Sequence, residues 1–90
     1  MIRVSLTISG KVQGVFFRAH IRERAKELGV TGWAANDADG TVRVIVEGSA
    51  NQVNELVDWC HSGPSTAQVE KVDVETQPYM AEFDDFAIRF

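Results

Sequence analysis

The sequence predicts an α+β fold in which two helices pack on one face of an antiparallel β-sheet. Apolar and polar residues alternate through residues 2–9, as expected of a strand with one buried face. Two later segments carry apolar residues at helical spacing, and each lies between strand-like segments. The resulting order is β-α-β-β-α-β-β. Because a helix cannot serve as the tight turn of a β-hairpin, each helix is expected to cross one face of the sheet.

Composition places the chain among small globular domains. Its 90 residues are 44% hydrophobic and 24% charged, which predicts one domain over residues 1–90. The formal net charge of −4 argues against nucleic acid or an anionic membrane as the main partner. No apolar run approaches the ~20 residues of a membrane span. Cys60 is the only cysteine, so no internal disulfide can form, and we expect a cytoplasmic protein.

The first half of the chain contains one predicted helix and three predicted strands. The apolar stripe of the helix comprises Phe17, Ile21, Ala25 and Leu28. Gly29 is expected to end this helix. Residues 31–36 follow as a second strand, and residues 36–40 have the composition of a turn. Residues 41–47 form the third strand.

The second half begins with Ser49 and Gln52, whose S-x-x-Q spacing predicts a capping box for a helix ending near Ser62. The apolar stripe of this helix comprises Val53, Leu56, Val57 and Cys60. A fourth strand is predicted over residues 67–75, with a bulge or an irregular start because Val69 is out of phase with Val72 and Val74. Residues 79–85 read as an exposed connection. Phe86, Ile88 and Phe90 indicate a short last strand. Two split β-α-β units in this order predict a ferredoxin-like sandwich with an added C-terminal strand.

The segment with the clearest chemical character is residues 10–18, GKVQGVFFR, between the first strand and the first helix. Gly10 and Gly14 allow consecutive backbone N–H groups to line a concavity that attracts anions. The helix N-terminus adds unpaired N–H groups and the positive end of its dipole. Arg18 opposes that dipole, and a bound anion would explain its position.

Two segments resemble acylphosphatases. Residues 10–18 match the family's G-x-V-Q-G-V-x-F-R phosphate cradle without a gap. Residues 32–48 are similar to the family pattern G-W-x-x-N-x-x-x-G-x-V-x-x-x-x-x-G, in which the asparagine is Asn36. The resemblance implies a metal-independent hydrolase without a cofactor, a monomer that splits acyl phosphates into a carboxylate and inorganic phosphate. Arg18 would grip the phosphoryl oxygens and Asn36 would orient the attacking water. The backbone N–H groups expected to complete the cradle are those of Gln13, Gly14, Val15, Phe16, Phe17 and Arg18.

The fold and the resemblance support each other. A crossover helix makes the first two strands parallel in direction, so their carboxyl ends meet at one end of the sheet. This places Arg18 and Asn36 together. Asp37 and Asp39 follow Asn36, where many family members carry a basic residue. We expect these carboxylates to weaken binding of an anionic substrate or to alter substrate preference, without loss of activity.

Other interpretations of the sequence have weaker support. A catalytically inactive domain of the same fold, binding phosphate or a partner, is the main alternative; a nucleic-acid-binding module is less compatible with the charge. Residues 37–41 match the D-x-D-x-T of aspartyl-phosphate phosphatases, but such enzymes need a larger domain, which favours a simple turn here. Cys60 lies on an apolar helix stripe, and Thr66 stands where a cysteine phosphatase needs arginine. His20 and His61 have no partners at metal-ligand spacing.

Overall fold

A computed structural model describes all of residues 1–90. The elements along the chain are β1 (Ile2–Lys11), α1 (Phe17–Leu28), β2 (Thr31–Asn36), β3 (Val42–Gly48), α2 (Ala50–Ser62), β4 (Gln68–Gln77) and β5 (Phe86–Arg89). The predicted order of elements is confirmed. Neither helix is long and apolar enough to cross a membrane.

The strands form one five-stranded sheet in the order β4-β1-β3-β2-β5. β1 pairs antiparallel with both β3 and β4, and β2 pairs antiparallel with β3. β5, however, pairs parallel with β2, so the sheet is mixed and the prediction of an antiparallel sheet holds for every strand pair except this one. The reason is the connection after β4. It starts and ends at the same end of the sheet but passes from one edge to the other, so β5 enters in the direction of β2.

Both helices cover the same face of the sheet, as predicted. The side chains of α1 and α2 join those of β1 and β3 in one buried cluster of 17 residues. Phe17 of α1 meets Trp59 of α2 edge-to-face, with ring centroids 5.8 Å apart. The apolar alternation of β1 and β3 therefore faces the helices, and burial of this surface is the main force that holds α1 at the end of β1.

Local signals set most element boundaries. Gly29 ends α1 in the left-handed conformation, and its N–H donates to carbonyls of the last helical turn. α2 begins after Ser49 as predicted, but the capping box does not form. The Ser49 hydroxyl instead donates to Gln52 Oε1 at 2.6 Å, and no side chain caps the helix N–H groups.

The predicted bulge is present between β1 and β4. Ser9 pairs with Lys71 and Gly10 with Val69, so Glu70 is the extra residue. Gly10 has φ +121°, and a Cβ at this position would collide with the backbone carbonyl of Gln68. Only glycine fits this close approach of two backbones, which directs the chain from β1 into the following loop.

The face of the sheet opposite the helices carries the connection of residues 78–85. Glu47 of β3 is buried, and its carboxylate accepts the N–H groups of Met80 at 2.8 Å and Glu82 at 2.9 Å. Arg3 of β1 donates to the side chain of Glu82 at 2.7 Å. Burial alone would raise the pKa of Glu47, but the hydrogen bonds from Met80, Glu82 and Arg3 hold that pKa below its ordinary value. The connection is exposed, as expected, yet fixed at its centre.

Candidate active site

The loop between β1 and α1 is shaped by two residues in the left-handed region. Gly14 has φ 74°, and Phe16, the N-cap residue of α1, has φ 60° and ψ 25°. Left-handed residues that alternate with ordinary ones turn successive N–H groups toward one side. Glycine adopts this conformation without strain, whereas a bulky aromatic residue rarely does. The loop therefore forms a concave surface of backbone donors at the helix N-terminus.

The donors of this surface are unpaired within the chain. None of the N–H groups of residues 13–19 donates to a backbone carbonyl. The first paired N–H is that of His20, which donates to the Phe16 carbonyl at 3.1 Å. We refer to the N–H groups of residues 13–19 as the amide cradle. Together with the positive end of the α1 dipole, the amide cradle is suited to a compact anion such as a phosphoryl group.

Arg18 lies in the first turn of α1, which contains no acidic residue. Its Nη1 donates to the carbonyl of Arg89 at 3.0 Å, and its guanidinium lies 4.9 Å from the centre of the Phe90 ring. The C-terminal strand therefore holds this side chain from one side. The hydrogen bond uses one of five guanidinium N–H groups, which leaves the planar fork able to bind two oxygens of a phosphoryl group.

Asn36 is the last residue of β2, where it pairs with Val42. β1 and β2 both run antiparallel to β3, so their carboxyl ends meet at the same end of the sheet. Arg18 and Asn36 accordingly line one cavity of about 380 Å³. Its lining comprises Val12, Gly14, Phe16, Phe17, Arg18, Ala19, Asn36, Ile88 and Phe90. An amide beside an anion cradle can hold a water molecule as both donor and acceptor.

Two predicted cradle residues, Gln13 and Val15, do not line the cavity. Val15 is half-buried against the core, and its carbonyl accepts a hydrogen bond from the Thr66 hydroxyl at 3.1 Å. The Gln13 side chain bridges to the loop after β2, where Nε2 donates to the carbonyls of Asp37 at 2.8 Å and Thr41 at 2.9 Å. The sequence interpretation missed this bridge, since a glutamine in a glycine-rich loop carries no signal of its partner.

The two carboxylates after Asn36 lie outside the cavity. Asp39 accepts the hydroxyl of Thr41 at 2.6 Å and its N–H at 3.0 Å. These bonds, the hydroxyl first, hold the pKa of Asp39 below its ordinary value. Asp37 lies 3.4 Å from Arg43. Asp39 is thus engaged within its own loop and Asp37 with Arg43 of β3, and their effect on substrate binding stays a prediction.

The other nucleophile and ligand candidates lie elsewhere. Cys60 is buried in the core, and burial raises the pKa of its thiol to about 12. The Nδ1 of His61 lies 3.0 Å from the carbonyl of Val57, within its own helix. No group of three or more His, Cys, Asp or Glu side chains is placed to hold a metal ion.

Comparison with known proteins agrees with this geometry. The fold and the loop at the end of β1 define a small α+β domain in which the N-terminal N–H groups of α1 are unpaired within the chain. The acylphosphatase family profile matches residues 4–88, so the chain belongs to the acylphosphatase family.

Individual relatives cover almost the whole chain. The acylphosphatase of Syntrophus aciditrophicus (strain SB) is 50% identical over 90 residues, which are 100% of this chain and 94% of the relative. The structure of an acylphosphatase from Coxiella burnetii matches with a TM-score of 0.93 at 38% identity, covering 98% of this chain and 92% of that one. The crystal structure of acylphosphatase from Bacillus subtilis matches with a TM-score of 0.96 at 27% identity, and each chain is covered completely.

Proposed function

We propose that residues 1–90 form a single acylphosphatase domain that hydrolyses the carboxyl–phosphate bond of acyl phosphates to a carboxylate and inorganic phosphate. The observation that carries the proposal is the amide cradle: its N–H groups are unpaired within the chain, and five of its residues (14 and 16–19) line the same cavity as Asn36. Family membership supports the reaction class. The main alternative, an inactive phosphate-binding domain, would need the cradle but has no use for Asn36.

The phosphoryl group is proposed to sit at the N-terminus of α1. The N–H groups of the amide cradle donate to its oxygens, and Arg18 grips two of them through its planar fork. This arrangement explains a cation placed against the helix dipole, since the bound anion stabilises both. The donors are fixed before substrate arrives, so they stabilise charge on the phosphoryl oxygens in the transition state without reorganisation.

Asn36 is proposed to orient the attacking water through its side-chain amide. The water oxygen forms a bond to phosphorus while the bond from phosphorus to the acyl oxygen breaks, and its electron pair leaves with the carboxylate. A carboxylate is a good leaving group and needs no protonation. Amide groups are not general bases at neutral pH, so the proton of the water is proposed to pass to a phosphoryl oxygen. Positioning and charge stabilisation then supply the catalysis, without a metal or a cofactor.

Hydrolysis of benzoyl phosphate in a buffer containing a metal chelator tests this proposal, with Arg18→Ala and Asn36→Ala beside the parent chain. We expect turnover by the parent and a loss of about 100-fold or more in either variant. The Asn36 variant should still bind inorganic phosphate, and the Arg18 variant should bind it poorly. Arg22→Ala, which removes an exposed arginine from the same helix, is the matched control. Phosphate binding without turnover in the parent would favour the inactive alternative.

The setting of the reaction is also a proposal. We infer that the domain acts as a monomer in the cytoplasm on a small-molecule substrate. The single cysteine is buried and unpaired, which is compatible with a reducing compartment. The net charge of −4 disfavours nucleic acid as a partner. Light scattering of the purified chain at several concentrations should give a mass near 10.0 kDa, and a mass twice that would contradict the monomer.

A further inference from the structure

The cavity beside the amide cradle is lined mostly by apolar residues. Phe16, Ile88 and Phe90 are among them, and we refer to these three as the apolar rim. The Phe16 side chain is 79% exposed and Phe90 is fully exposed, although both are large aromatic residues. Exposed apolar side chains gathered at one cavity are typical of a binding site.

The backbone of Phe16 strengthens this interpretation. Phe16 occupies the left-handed region at φ 60°, where glycine or asparagine would be adopted more readily. Strain of this kind persists where surrounding structure or function requires it. The amide cradle uses only the N–H of this residue, and glycine would provide that N–H without strain. The ring therefore needs a separate explanation.

The apolar rim lines the same cavity as Arg18 and part of the amide cradle, and this supplies the explanation. In an acyl phosphate the acyl carbon is joined to the phosphoryl group through a single oxygen. A phosphoryl group in the cradle therefore places the acyl group within the same cavity. The cavity volume of about 380 Å³ lies in the range of small-molecule sites, roughly 300–1,000 Å³. Arg18 is the only charged residue that lines it, and Arg18 is assigned to the phosphoryl oxygens. A second anionic group on the substrate would find no cation there.

We propose that the apolar rim binds the acyl group and selects acyl phosphates whose acyl part is a sizeable apolar group, aromatic or alkyl, over acetyl phosphate and over acyl groups that carry a further negative charge. This inference rests on the proposed function and names the substrate class of the same site. Phe16 is the specificity-determining residue, since Phe90 also stacks on the Arg18 guanidinium. Aromatic contact with an apolar group is strengthened by the exclusion of water from the rings.

Competitive inhibition by phenylphosphonate and methylphosphonate tests the selection without a chemical step. Both carry the same anionic head for the cradle and differ in the group that meets the rim. In the parent chain we expect phenylphosphonate to bind about fivefold more tightly, or better. Phe16→Ala retains the Cβ in the left-handed position and removes the ring, and it should abolish most of this ratio. Tyr79→Ala, which removes an exposed aromatic residue outside the cavity, should leave the ratio unchanged.

The corresponding kinetic ratio is kcat/KM for benzoyl phosphate over kcat/KM for acetyl phosphate. Any general damage to the cradle cancels in this ratio, so Phe16→Ala should lower it about fivefold relative to the parent. Phe16→Leu keeps an apolar side chain, and its kcat/KM ratio should lie between the ratios of the parent and Phe16→Ala. A ratio that Phe16→Ala leaves unchanged overturns the proposal. Failure of the parent to hydrolyse either substrate would instead overturn the proposed function, so the two failures are distinguishable.

Discussion

The side chain of Gln13 offers a sharp test of how the two halves of the site are held together. It is half-buried, and its Nε2 donates to the carbonyls of Asp37 at 2.8 Å and Thr41 at 2.9 Å. Asp37 directly follows Asn36, so the bridge ties the loop after Asn36 to the amide cradle. Gln13→Leu removes both hydrogen bonds with little change in volume. Gln13→Glu keeps the shape but, when ionised, turns an acceptor toward two carbonyls.

The magnitude follows from the two bonds. Each is worth about 0.5–1.5 kcal/mol net, so the variants should lose about 1–3 kcal/mol of the free energy of unfolding. For a chain of this size that is a drop in Tm of roughly 4–8 °C per kcal/mol. Loosening of the loop after Asn36 should let the Asn36 side chain move and lower kcat about tenfold. The dissociation constant of inorganic phosphate should change little. Gln13 would thus act as a positioning residue through Asn36.

Thermal unfolding followed by circular dichroism gives the stability change, and benzoyl phosphate kinetics with phosphate inhibition give the split between kcat and binding. Gln68→Leu, at an exposed position of β4, is the matched control for loss of a glutamine and should leave both unchanged. Wild-type kcat and Tm in Gln13→Glu would refute the reasoning. So would a variant that loses phosphate affinity while its kcat is preserved.

Three further predictions concern the scaffold. The pKa of Glu47 is held below its ordinary value of 4.5. The ionised carboxylate therefore contributes stability above about pH 4.5, and this contribution is lost as pH falls through the lower folded-state pKa. Glu47→Gln should flatten the acid side of the curve of Tm against pH, and an unchanged curve would contradict this. Because burial raises the pKa of Cys60 to about 12, iodoacetamide at pH 8 should label the thiol only in denaturant, whereas rapid labelling of the folded chain would contradict its burial. Gly10→Ala places a Cβ against the backbone of β4 at φ +121° and should lower the free energy of unfolding by about 1–3 kcal/mol or more in urea titrations, and a neutral result would contradict the close approach.

Periodicity alone predicted most of the fold. The alternation in β1, the two helical stripes and the glycines at helix ends report on local geometry, which depends on nearby residues. The direction of β5 was beyond such signals, because a four-residue strand shows which side chains face the core but not which neighbour it joins. The fixing of residues 78–85 by Glu47 was equally hidden. An acidic residue in an alternating strand is expected to be exposed. Glu47 is buried because a segment distant in the chain covers it.

The site divides in a similar way. The glycine loop, Arg18 and Asn36 lie in two short motifs, and strand direction was enough to predict that they meet. The left-handed Phe16, the bridge from Gln13 and the contact of Arg18 with the C-terminal strand all depend on tertiary packing. No spacing rule links residues so far apart in the chain, which is why these contacts emerge only in three dimensions.

The proposed reaction requires that a phosphoryl group binds to the amide cradle beside Arg18. Titration of the ¹⁵N-labelled chain with inorganic phosphate, followed by amide chemical shifts, tests it most directly. We expect saturable shifts concentrated in the amides of residues 13–19, weakened strongly by Arg18→Ala and retained in Asn36→Ala. Shifts centred on the exposed basic residues of the outer face of α1, or identical titrations in the parent and Arg18→Ala, would contradict it.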